Sequence, residues 1–105
     1  MINQINYQSG VSKTVATYQT QSSPQETINS LHNAILKCKY KIKQQAPTMI
    51  KFKTPMTLFD YGFNMTATLS QNERGTIVRI EGKPVYPLDI FKVGKKRIEA
   101  LAAFL

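Results

Sequence analysis

The sequence has no tryptophan, one cysteine and one histidine. A lone cysteine, Cys38, cannot close an internal disulfide, and with only His32 beside it no Cys/His metal-ligand spacing exists. Acidic residues are scarce, six against fourteen lysines and arginines, for a net charge of +8. Long apolar runs are missing as well. The longest, "ALAAFL" at 100–105, falls far short of the roughly 20 residues a helical membrane span takes. The opening "MINQINYQSG" has no apolar stretch of the secretory kind. These absences argue against a disulfide scaffold, a zinc module and a transmembrane protein, and the expectation is a cytoplasmic one.

What is present is globular. Of 105 residues, 42% are hydrophobic and 19% charged, the balance of one folded domain with a modest core. Residues 1–10 have only Ile2, Ile5 and Tyr7 to anchor them and suggest a loosely ordered leader, with the domain proper over 11–105. "VSKTVATYQT" (11–20) is rich in β-branched and aromatic residues, with Val11 and Val15 spaced for one face of a strand. In "QSSPQE", Ser23 stands three residues before Glu26 with Pro24 between, a capping box with proline in the first turn. A helix over about 24–37 follows, with Ile28, Leu31, Ile35 and Cys38 in one apolar stripe.

The period then changes from 3.6 to 2. Tyr40 and Ile42 alternate with Lys39, Lys41 and Lys43. After "QAPT", where Pro47 cannot donate to a ladder, Ile50 and Phe52 alternate with Met49, Lys51 and Lys53. In "FNMTATLS", Phe63, Met65, Ala67 and Leu69 oppose Asn64, Thr66 and Thr68. "QNERG" predicts a hairpin with Gly75 in a left-handed position, leading into the strand "TIVRIEG". The last segment predicts a helix from about Asp89, with Ile90, Val93, Ile98, Leu101 and Leu105 inward and Gly94 a weak point worth ~1 kcal/mol. The expected fold is α+β, β-α-β-β-β-β-α. A single curved antiparallel sheet of four or five strands is wet on one face and carries both helices on the other.

Little of this sequence suggests catalysis. His32 and Cys38 lie about 240° apart round a helix and cannot work as base and nucleophile. Asp60 and Asp89 sit where acids cap turns and helices. The Gly-Lys pairs in "EGKP" and "VGKK" lack the spacing of a phosphate-cradling loop. The readings are therefore no enzyme, no cofactor and no metal.

The informative stretch is "KCKYKIKQQAPTMIKFKT" (37–54), with six lysines and no acid between residues 37 and 53. Lys39, Lys41, Lys43, Lys51 and Lys53, joined by Arg79, should share the wet face of the sheet. Such a surface fits an anionic partner: nucleic acid, acidic protein or a membrane surface. It also fits a plainly solvated face, since lysines keep a sheet soluble and its edges unpaired. Tyr40, Phe52 and Phe63 belong to the dry face, so the lysines have no stacking groups among them of the sort single-strand binders use. On the dry side, Met49, Met56 and Met65 are adaptable fillers, of a core or of a small apolar pocket.

The element order is similar to the β-α-β4-α unit of the TATA-binding-protein fold and to a shortened helix-grip domain of the pollen-allergen type. More closely, "ETINSLHNAILKCKYKI", "IKFKTPMTLFDYG" and "LDIFKVGKKRIEALAAFL" resemble a group of small, mostly uncharacterised bacterial domains. In these a strand runs into a turn and an aromatic-plus-glycine step, and a basic pair opens the final helix. Thr57 and Tyr61 here replace that pattern's serine and tryptophan. The resemblance spans residues 11–105 and implies that the first strand lies beside the last. It carries no activity with it. Together these features point to a small non-catalytic binding or accessory module of unknown partner, with a nucleic-acid-binding protein using the lysine face as the alternative.

Overall fold

The computed structural model describes residues 4–10, 12–56, 62–85 and 93–105. In chain order they form β1 (Ile5–Ser9), β2 (Thr14–Thr20), α1 (Pro24–Lys37), β3 (Lys41–Ala46), β4 (Met49–Lys53), β5 (Phe63–Asn72), β6 (Gly75–Pro84) and α2 (Val93–Ala102). The strands make one antiparallel sheet in the order β1-β2-β6-β5-β4-β3. The class is α+β, as the periodicities predict, and β2 lies beside the last strand. The sheet has six strands rather than four or five. The sixth is β1, in the stretch where the sequence suggests a leader.

Alternation decides which face is dry. Ile50, Phe52, Phe63, Met65, Ala67, Val78 and Ile80 are all buried, while their neighbours Lys51, Asn64, Thr68 and Arg79 are exposed. α1 lies over β3 to β6 and α2 over β1, β2 and β6, adding Ile28, Leu31, Ala34, Ile35, Val93, Ile98 and Leu101 to one core. Each fully buried aliphatic or aromatic side chain contributes ~1.5–3 kcal/mol, so this face holds the fold together.

The start of α1 is local chemistry. The Ser23 hydroxyl accepts from the Glu26 N–H at 3.2 Å, and the Glu26 carboxylate reaches back to the Ser23 N–H at 3.5 Å, with Pro24 in the first turn. Its end is less ordinary. Lys39 N–H donates to Leu36 C=O and Tyr40 N–H to Ile35 C=O, with Lys39 at φ 62°. This is a Schellman stop whose left-handed position holds a lysine instead of glycine or asparagine. The stop delivers Tyr40 inward, where its ring stacks on Phe52 at 6.2 Å and its hydroxyl donates to the Arg97 carbonyl of α2 at 3.0 Å. His32 Nδ1 lies 2.6 Å from Gln45 Oε1, joining α1 to β3.

The structure decides which side chains face inward, and for the methionines it corrects the sequence reading. In β2 the buried residues are Thr14, Ala16 and Tyr18, and Val15 lies on the wet face, opposite Glu81 and Gln8. The register explains this: Tyr18 pairs with Val78 and Ala16 with Ile80, so the largest side chain takes the core and Val15 falls out of phase. Val11 lies outside the described residues. Of the three candidate filler methionines, only Met65 is in the core. Met49 is half-buried on the wet face and Met56 is exposed.

The hairpins follow their turn residues. Ala46 pairs with Met49 across Pro47–Thr48, and Asn72 pairs with Gly75 across Glu73–Arg74, where Asn72 Oδ1 accepts from the Arg74 N–H at 2.9 Å. Gly75 has φ 126°, and a Cβ there would stand 2.3 Å from the Thr20 carbonyl oxygen, so the position requires glycine. The turn acid Asp60, and Asp89 and Ile90 at the expected start of the last helix, lie outside the described residues, which resume at Val93.

Candidate anion-binding surface

The sheet register converts a spacing in sequence into rows across the wet face. Lys41 pairs with Lys53, Lys53 with Asn64 and Asn64 with Lys83, one row over four strands. In the next, Gln44 pairs with Lys51, Lys51 with Thr66 and Thr66 with Glu81. Met49, Thr68, Arg79 and Thr17 form the third. Adjacent strands lie about 4.8 Å apart. Lys41, Lys51 and Lys53 therefore share a corner at one end of β3 and β4.

A β-bulge adds the fourth lysine. Ile42 pairs with Phe52 but Gln44, not Lys43, pairs with Lys51, so Lys43 is the extra residue. A bulge of this kind sets two residues against one and twists the strand more sharply. Here it sets Lys43 beside Lys41 at the same corner. Repulsion from Lys41, with smaller contributions from desolvation and Lys53, holds Lys43 below the ordinary lysine pKa. Lys43, Lys41 and Lys51 are exposed and Lys53 is half-buried. None of the four has a carboxylate partner among the described residues.

The other two candidates stand apart. Lys39 is not in the ladder: it occupies the left-handed stop of α1, ahead of β3, because the helix must end before the strand can begin. Arg79 does share the wet face, but two strands away and already paired, 3.0 Å from Glu81. Glu81 also holds Lys83 at 3.5 Å. The Arg79 hydrogen bond, followed by the nearby Lys83 charge, keeps the Glu81 carboxyl below the usual carboxylate range despite partial desolvation. Sequence reasoning missed Lys83, which continues the row of Lys41 and Lys53; its signal was the period-2 run Arg79, Glu81, Lys83.

The wet face carries no aromatic side chain among the described residues; Tyr40, Phe52 and Phe63 are buried at 8%, 2% and 0% exposure. Two shallow polar grooves lie at the far end of the strands, around Gln19, Gln21, Ser22 and Glu26, away from the lysines. Among the described residues no three metal-ligating side chains cluster, and no helix is long and apolar enough to cross a membrane. Compared with known proteins, the sequence matches no protein-family model and no curated protein sequence.

Proposed function

We propose that this protein is a small non-catalytic binding module that holds an anionic partner through Lys41, Lys43, Lys51 and Lys53. The observation that supports the reading is the contrast on one face: Arg79 and Lys83 share the carboxylate of Glu81, whereas four neighbouring ammonium groups have no counter-charge among the described residues. Repulsion within the corner makes it a place where an incoming anion is favoured. The partner is recognised by charge density, since no stacking aromatic reads a base there. Nucleic acid held by its phosphates is the runner-up reading, supported by the spread of the lysines over two strands.

Neutralising four phosphates implies a slope of about −3 to −4 in log K against log salt, or about a hundredfold loss between roughly 50 and 200 mM. Titrating fluorescent single- and double-stranded oligonucleotides at two salt concentrations tests this. Weak, sequence-independent binding that vanishes with salt is the expected result. Sub-micromolar binding that persists at physiological salt and discriminates between sequences would replace the charge-only reading with a specific nucleic-acid function.

A further inference from the structure

A six-stranded open sheet has two edges, and here they differ. The β3 edge carries Lys41 and Lys43, is bulged at Lys43 and turns at Pro47. Each of these features blocks the addition of another strand. The β1 edge has none of them. Its sequence, INYQS, contains no charge, proline or glycine, and all five residues pair with β2 in unbroken register. Among the described residues nothing pairs with its outer side.

We propose that β1 is a self-association edge, at which two copies of this chain pair β1 with β1. A two-fold axis beside the strand sets it antiparallel to its copy, the geometry this sheet uses throughout, and joins the two sheets into one. Charge selects this edge for a second copy. A protein of net charge +8 repels itself wherever its lysines meet. The lysine corner lies four to five strand spacings from β1, about 19 to 24 Å away. Lys13 lies in the hairpin that joins β1 to β2, and two charges of opposite sign lie by Tyr7: Lys95 Nζ stands 5.1 Å from its ring centre, and Glu99 is close enough to reinforce the upward push that burial gives its phenol. A two-fold axis sets this pair against its own copy without net repulsion. Ile5 and Tyr7, only half-buried against the core, gain cover from the same contact. The pairing leaves the lysine corners at opposite ends of the joined sheet.

A five-residue strand pairing lies at the small end of stable interfaces, so association is concentration dependent. Sedimentation velocity of the full chain, from micromolar to submillimolar concentration, is the test. The expected result is a monomer–dimer equilibrium that Asn6→Lys/Gln8→Lys weakens at least about tenfold, because these exposed wet-face positions set like charges against their copies. Lys41→Gln/Lys43→Gln, at the other edge, should leave the equilibrium unchanged. A wild type that stays monomeric throughout overturns the proposal. So does association that survives Asn6→Lys/Gln8→Lys or is altered by the β3 variant. Amide exchange on the unmodified chain gives a second readout should the variant fail to fold. β1 amides should become more protected at high concentration, and equal protection at both ends of the range refutes the pairing. No anionic partner is needed, so the result is independent of the lysine corner's role.

Discussion

β4 places two environments within five residues. Ile50 and Phe52 point into the core, and Lys51 and Lys53 point into solvent beside Lys41 and Lys43. The dry residues are held by many neighbours, including the Tyr40 ring stacked on Phe52. The wet ones face like charges with no acid in reach among the described residues. Side chains one residue apart thus contribute to different properties, stability on one face and binding on the other. The two can be changed separately.

The largest test of that separation is Phe52→Ala. It opens a cavity under Tyr40 and should cost ~3–5 kcal/mol, read from urea or thermal melts. Should the variant keep full stability and lose only anion binding, the two faces are assigned the wrong way round. Next comes Lys39→Gly. Lys39 is a lysine outside the corner, held at φ 62°, where a side chain costs ~1 kcal/mol or more. Its replacement by glycine should raise stability by up to about that amount and leave oligonucleotide affinity unchanged. A drop in affinity comparable to that of Lys51→Gln would put Lys39 back in the ladder.

Lys51→Gln/Lys53→Gln is the converse. Stability should stay within ~0.5 kcal/mol. The salt slope of polyanion binding should become shallower by about 2, one for each phosphate left without its lysine. The smallest effect is a pH dependence. Because Lys41 and Lys53 depress the Lys43 pKa in the folded chain, the folded state binds fewer protons there than the unfolded one between the two values. Stability should therefore rise as pH climbs through the folded Lys43 value toward the ordinary lysine range, and affinity for an anion should fall. The difference between wild type and Lys43→Gln, followed by melts and titrations from neutral pH to about pH 10, isolates this effect from the other lysines. A difference that stays constant with pH means the ammonium groups do not interact.

Features set by neighbouring residues were legible in the sequence. Ser23, Pro24 and Glu26 fix the start of α1 through bonds that span three residues, and Gly75 marks its own hairpin. The inward sets of β4, β5 and β6 follow from strict alternation. β1 was hidden because Ile5 and Tyr7 make too short an apolar alternation to announce a strand; pairing with β2 and cover from α2 make it one. Val11 and Val15 were spaced for one face of β2, and only the pairing of Tyr18 with Val78 shows that the face of Val15 is the wet one. At the candidate site, Lys41, Lys51 and Lys53 could be placed by period alone. The exclusion of Lys39 depends on how a helix stops, and the neutralisation of Arg79 depends on Glu81 two residues along the same strand. The bulge at Lys43 left no trace in composition.

That bulge also governs where the chain can change length. β3 sets six residues against five of β4, so one residue is surplus to the ladder. Deleting Lys43 would leave Gln44 opposite Lys51, with Lys41, Ile42, Gln45 and Ala46 keeping their partners and the Pro47–Thr48 turn untouched. A deletion within β4 would instead turn part of the strand over, exposing core residues and burying lysines. One point in the hairpin is thus permissive to loss of a residue, while neighbouring positions a few ångströms away are not. The shortened chain should fold to the same circular-dichroism spectrum as the parent, with a regular edge in place of the bulge and one cation fewer at the corner.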